Sequence, residues 1–257
     1  MTTTQQQPVL PAVADILGSA AEGCETLDLG AGLTATVIVR PGAVLNHSAQ
    51  ERVYAALIPV TTSSFGADMT PYWAQRSKEG YLERLAEFVL IADEDGRMVG
   101  WTGFHVLPYD GFTLVYLDST GMVPTRQSGG VMRQLMQARV SGSVAGCPAG
   151  KPVYLTARTE SPIFYRLMRR LLPAPDALYP QPATAAPGDV VEAARHLARW
   201  LGQQDILDAP ALTVRGAYDA LDELYGELPT TGDPELDKLF RGQLGPLDAF
   251  LLVGRVR

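Results

Sequence analysis

One stretch constrains this chain more than any other: Met122-Val-Pro-Thr-Arg-Gln-Ser-Gly-Gly-Val-Met-Arg-Gln-Leu-Met136. The apolar run Phe112-Thr-Leu-Val-Tyr-Leu117 precedes it and reads as a buried strand. Val131, Met132, Leu135, Met136 and Val140 then fall on or near one helical face, with Arg133, Gln134 and Gln137 off it. The chain therefore passes from a strand through a Pro-ended turn and a polar, Gly-containing loop into a helix. A helix start presents unpaired N–H groups and the positive end of the helix dipole. Gly129 and Gly130 lack side chains, so an anion can approach the backbone closely there. Two nucleotide patterns fail on this stretch. A P-loop needs Lys-Ser/Thr after its last glycine, and Val131 follows Gly130. A dinucleotide fingerprint needs three spaced glycines and an acidic residue about 20 positions on, and neither is present. From the glycines alone, an ordinary strand-to-helix turn is an equal reading.

Length and charge bound the rest. The chain has 257 residues, enough to bury a core in one domain or in one domain with an extension. A formal net charge of −7 argues against a general nucleic-acid-binding surface, while leaving room for a local basic site. No long uncharged apolar run is present, so no membrane span is expected. Cys24 and Cys147 lack C-x-x-C spacing and read as free thiols of a cytoplasmic protein. No basic segment precedes the apolar stretch Pro8–Leu17, which Asp15 interrupts, so no signal peptide is expected. Met1 to Gln7 reads as a polar, disordered tail, and Val9 to Ala21 as a short helix.

Leu33 to Arg40 alternates, is β-branched, and reads as the first strand. Ser48–Leu57 and Tyr72–Glu87 read as helices, with a loop from Thr61 to Thr70. Phe88–Ala92 and Arg97–Val106 read as strands of an antiparallel meander punctuated by Asp-Gly turns. Pro152–Arg158 reads as a strand, and Ser161-Pro162 as the capped start of a helix with Ile163, Phe164, Leu167, Met168 and Leu171 inside and Tyr165 at the edge. Further helices are expected at Val190–Gln203, capped by Asp189, at Gly216–Leu228 and at Pro234–Phe240. Leu247–Gly254 reads as a last buried strand that closes the sheet.

The stretch at Met122 resembles motif A of the GNAT superfamily, the acyl-CoA-dependent N-acyltransferases. Met122, Pro124, Gln127 and Gly130 stand in the register of that motif, and Met132 replaces its final Gly/Ala. The resemblance covers residues 33 to 172 and the last strand. It implies an α/β (α+β) fold with a mixed, mainly antiparallel central sheet flanked by helices, carrying a helical elaboration at 174–246 before the closing strand. Residues 1–32 then form a tail with a short helix, and 33–257 the acyltransferase domain.

The resemblance also implies a chemistry. Acetyl-CoA or another acyl-CoA would be the donor, held by Met122, Val123, Gln127, Ser128, Gly129, Gly130 and Val131, with Arg126 or Arg133 adding charge. The pantetheine arm would lie along the strand at Leu117 to Met122, splayed by a bulge near Gly121. The acceptor would be a small-molecule amine attacking directly, without a metal. Tyr165 would protonate the leaving thiolate. Asp118, six residues before Pro124, is the first candidate for the base, ahead of Glu160 and His105. No nucleic acid or membrane partner is implied, and a monomer or homodimer is expected. Two alternatives stay open: a donor carried as phosphopantetheine on an acyl carrier protein, and a non-catalytic acyl-CoA-binding module. A hydrolase is not indicated, because no G-x-S-x-G elbow is present.

Overall fold

The computed structural model describes residues 10–127 and 129–257, so the polar tail Met1–Gln7 and Ser128 lie outside the described residues. The chain forms two compact units, Met1–Gly103 with Ser119–Gly129, and Phe104–Asp118 with Gly130–Arg257. Strands β4 (Met98–Pro108) and β5 (Thr113–Met122) contribute residues to both.

The first unit contains α1 (Val13–Leu17), β1 (Glu25–Gly30), β2 (Leu33–Val39), α2 (Pro41–Val44), α3 (His47–Phe65), α4 (Thr70–Lys78), α5 (Tyr81–Arg84) and β3 (Glu87–Ala92). Its sheet order is β1-β2-β3-β4-β5. β1 precedes the strand expected to be first and pairs antiparallel with it. No residue of β1 is buried, so it has no apolar face for a sequence reading to detect. Helix α3 outruns its expected end and carries Pro59 inside it. Val60 and Thr61 are fully buried, and Trp73 donates its indole N–H to Thr61 Oγ1 at 2.9 Å. That packing outweighs the backbone bond that proline removes. The single helix expected from Tyr72 to Glu87 is two, because Gly80 adopts φ 65° between them.

The second unit adds α6 (Val131–Ala145), β6 (Val153–Thr159), α7 (Pro162–Leu171), β7 (Leu178–Tyr179), α8 (Gly188–Trp200), β8 (Leu207–Asp208), β9 (Thr213–Val214), α9 (Pro234–Gln243) and β10 (Ala249–Arg255). Its sheet order is β4-β5-β6-β10-β9-β8, with β7 also pairing β10. β5 and β6 are parallel, joined through α6 as a βαβ unit. β10 runs antiparallel to β6 from Phe250↔Thr159 to Arg255↔Tyr154. The expected mixed, mainly antiparallel sheet with flanking helices is the one observed.

The elaboration carries the expected helices α8 and α9 and adds short strands to them. It supplies β7, β8 and β9, so β10 lies inside the sheet rather than closing its edge. No helix forms at Gly216–Leu228, which is turn and bend. Tyr218 N–H donates to the Leu247 carbonyl at 3.1 Å, and Gly216 N–H to Asp248 Oδ1 at 2.9 Å. These bonds to a distant segment replace the local ladder a helix would have used. Asp189 lies in the first turn of α8 instead of capping it, and accepts the Tyr154 hydroxyl at 2.7 Å. No helix among the described residues is long and apolar enough to cross a membrane.

Candidate functional site

The parallel pairing of β5 with β6 runs from Thr113↔Val153 to Leu117↔Ala157, while β5 itself continues to Met122. Ser119 has φ 56°, a left-handed residue that kinks a strand as a bulge does. Trp101 Nε1 donates to its hydroxyl at 2.9 Å. Ser119 stands two residues before Gly121, where the bulge is expected. Gly121 has a different reason to be glycine: a Cβ there would lie 2.4 Å from Trp101 Cη2.

Val123 N–H donates to the Val99 carbonyl at 2.8 Å, which fixes the end of β5. Pro124 to Arg126 form one 3-10 turn. The Gln127 side-chain amide folds back onto the Met122 carbonyl at 2.8 Å, so it shapes the loop. Arg126 Nη2 lies 2.9 Å from both Glu94 carboxylate oxygens and 3.8 Å from Asp93. Gly129 and Gly130 take φ 92° and 75°, values at which a side chain is strained. Gly130 is the N-cap of α6, with no side-chain hydrogen bond at the cap. Val131 is buried and Met132 half-buried. The Arg133 guanidinium comes within 3.8 Å of where a Gly130 Cβ would stand. Glycine conformation, an uncapped 15-residue helix and a nearby guanidinium suit a bound anion.

Asp118 and His105 meet in the second unit. His105 Nε2 lies 3.1 Å from Asp118 Oδ2, and the two residues are 1% and 2% exposed. Tyr116 stacks on the imidazole at 5.8 Å between centroids, and Trp200 meets it edge-on at 4.6 Å. In the sequence Asp118 and His105 are separate candidates, 13 residues apart. Alternation along β4 and β5 offered no signal of their pairing, and Trp200 comes from α8, far along the chain.

Tyr165 is buried on α7, whose start is capped by Ser161 Oγ accepting from Phe164 N–H at 3.3 Å. Its ring meets Phe240 edge-on at 5.9 Å, and its hydroxyl donates to the Pro180 carbonyl at 2.9 Å. Burial holds that hydroxyl above its ordinary pKa, with Arg169 opposing and Asp176 adding, so it keeps its proton at neutral pH. Glu160, between β6 and α7, is 9% exposed. Burial, and then the charge of Asp248, push its carboxyl up to about 7. Among the described residues no group of three or more His, Cys, Asp or Glu side chains is placed to hold a metal ion.

No family model matches the chain, and no curated protein is similar to it in sequence. Solved structures match it in three dimensions. One is a GNAT family N-acetyltransferase from Escherichia coli in complex with CoA, at 14% identity and a TM-score of 0.34, covering 63% of this chain and 71% of that one. A GNAT family acetyltransferase from Brucella melitensis in complex with acetyl-CoA is 16% identical, with a TM-score of 0.31 and coverage of 47% and 74%. N-acetylglutamate synthase from Neisseria gonorrhoeae, complexed with coenzyme A and N-acetyl-glutamate, is 14% identical, with a TM-score of 0.37; 86% of this chain covers 35% of that one.

Proposed function

We propose that this chain is an N-acyltransferase that moves an acetyl or other acyl group from a CoA thioester to the amine of a small molecule. The observation that carries the reading is the passage from β5 into α6. Pairing with β6 stops at Leu117, β5 continues to Met122, and two left-handed glycines lead into a helix with no side-chain cap. In this reading the pyrophosphate takes the backbone amides at Gly129, Gly130 and Val131, with Arg133 alongside. The pantetheine arm pairs with the β5 backbone beyond Leu117 as an added strand. Val123 N–H is already given to Val99, so the thioester oxyanion is assigned to Met122 N–H.

In this reading the steps balance as follows. The neutral amine attacks the thioester carbon, and the C–N bond forms as the C–S bond breaks. The amine proton passes to Asp118, which shares it with His105. The departing thiolate takes a proton from Tyr165, replenished from solvent. A second reading of Tyr165 is favoured by its bond to the Pro180 carbonyl: the hydroxyl ties α7 to the segment after β7, and water protonates the thiolate.

The test is calorimetric titration of acetyl-CoA into wild type, Gly130→Ala and Gly130→Glu, with mass detection of acylated amines. Both variants bear the same backbone strain, but only Glu adds negative charge at the proposed phosphate position. Donor affinity should fall on the order of 10²-fold in the Glu variant and only a few-fold in the Ala variant. An unchanged affinity in folded Gly130→Glu overturns the donor assignment. Binding without acylation of any amine leaves a sensing module.

A further inference from the structure

The second unit contains a cavity of about 350 Å³ lined by residues outside the Met122–Met136 stretch. That volume lies within the usual range for small-molecule sites. Leu224, Leu228, Phe240 and Leu244 give it apolar walls, and Tyr225 adds a phenol. Its charged lining is Glu160, Asp222, Glu223 and Arg241. Asp222, Glu223 and Arg241 are exposed, whereas Glu160 is only 9% exposed. Its backbone is fixed between the end of β6 and the Ser161 cap, with Ser161 N–H donating to Thr159 Oγ1 at 2.9 Å. No hydrogen bond or ion pair to the Glu160 carboxyl is found among the described residues. Its acidic neighbour Asp248 is by contrast satisfied, accepting from Arg215 Nη1 at 2.6 Å and from Gly216 and Gly245 N–H at 2.9 Å each.

Glu160 lines this cavity, and a largely buried carboxyl is costly to ionise unless a cation joins it. The apolar walls disfavour a hydrated metal ion and favour a carbon skeleton. We infer that this cavity binds a small organic cation, a protonated primary or secondary amine on an apolar body, with Glu160 as its charge partner. The inference does not depend on acyl transfer. Such a molecule is either the acyl acceptor or an effector held apart from the reaction.

The pH dependence follows from the groups that face Glu160. Burial raises the Asp248 carboxyl, but Gly216 N–H, Arg215 and Gly245 N–H together hold it below its ordinary range, so it is ionised when Glu160 titrates. Tyr225 is held above its ordinary value by burial, so it stays neutral. Glu160 therefore loses its proton near neutrality, and affinity for an ammonium rises as pH rises through about 7.

The experiment titrates benzylamine and cyclohexylamine into the full chain by calorimetry, without any acyl donor, beside benzyl alcohol and benzoate. At least one amine should bind, at least about tenfold more tightly than both controls. Glu160→Gln should lose about tenfold or more in amine affinity and flatten its rise between about pH 6 and pH 8. Leu228→Phe, which narrows the cavity without touching the charge, should weaken the amines at every pH. No amine binding, equal binding of benzyl alcohol, preference for benzoate through Arg241, or an unaltered pH profile in Glu160→Gln each overturn the inference. Adding acetyl-CoA separates the two sources: N-acetylated probe marks an acceptor pocket, and bound but unmodified probe an effector site.

Discussion

The loop from Met122 to Val131 and the cavity beside Glu160 are built from different material. The loop is made of backbone. Its features are φ values at Gly129 and Gly130, an uncapped helix start, and side chains such as Gln127 that bond the main chain. The cavity is made of side chains gathered from 160, from 222–228 and from 240–247. A backbone-built site depends on local sequence, and small residues mark it. A side-chain-built site depends on which distant segments meet, and almost any apolar composition satisfies it. The contrast teaches where substitutions should hurt: at glycines in the first region, at the buried charge in the second.

Gly121→Ala should give the largest effect on stability. Its new methyl would lie 2.4 Å from Trp101, whose ring is fully buried and hydrogen-bonded to Ser119. Overpacking of this kind should cost about 2–3 kcal/mol in urea unfolding. A loss below about 0.5 kcal/mol would mean that the strand before the loop tolerates side chains, and the contrast would fail there.

Glu160→Gln should act with the opposite sign. In the folded chain Glu160 keeps its proton up to about pH 7, against an ordinary value of 4.5. Between those values the unfolded chain binds fewer protons, so the wild type loses stability as pH rises through that window. The Gln variant escapes this loss and should gain about 1–2 kcal/mol over wild type at pH 8, with the gain shrinking toward pH 4. A pH-independent difference in melting temperature would show that the carboxyl is solvated after all.

Tyr165→Phe should have the smallest effect on stability. Losing the bond to Pro180 should cost about 1 kcal/mol while the ring keeps its place on Phe240. If Tyr165 is also the acid, thioester cleavage should fall on the order of 10²-fold, with donor KM little changed. Wild-type turnover with chemistry rate-limiting would leave the stability loss as its whole contribution.

By itself the sequence determined the elements whose signals are local. The strand–loop–helix passage at Met122, the Ser161 cap, the helix at Pro234 and the apolar strand near Phe250 all stand where alternation, capping residues and helical spacing put them. The glycine pair was legible for the same reason, since left-handed backbone needs residues without a Cβ. Tertiary structure decided the rest. β1 exists because β2 offers it an edge, not because of any apolar face. Gly216–Leu228 gave up a helix for bonds to Leu247 and Asp248. His105 and Asp118 became one buried pair, and Trp200 joined them from another element. Glu160 is a base candidate in sequence, and only the folded chain sets it in the wall of a cavity with Leu224, Leu228 and Phe240. Those outcomes rest on contacts between residues far apart in the chain, and the energies that select them are absent from any short window of sequence.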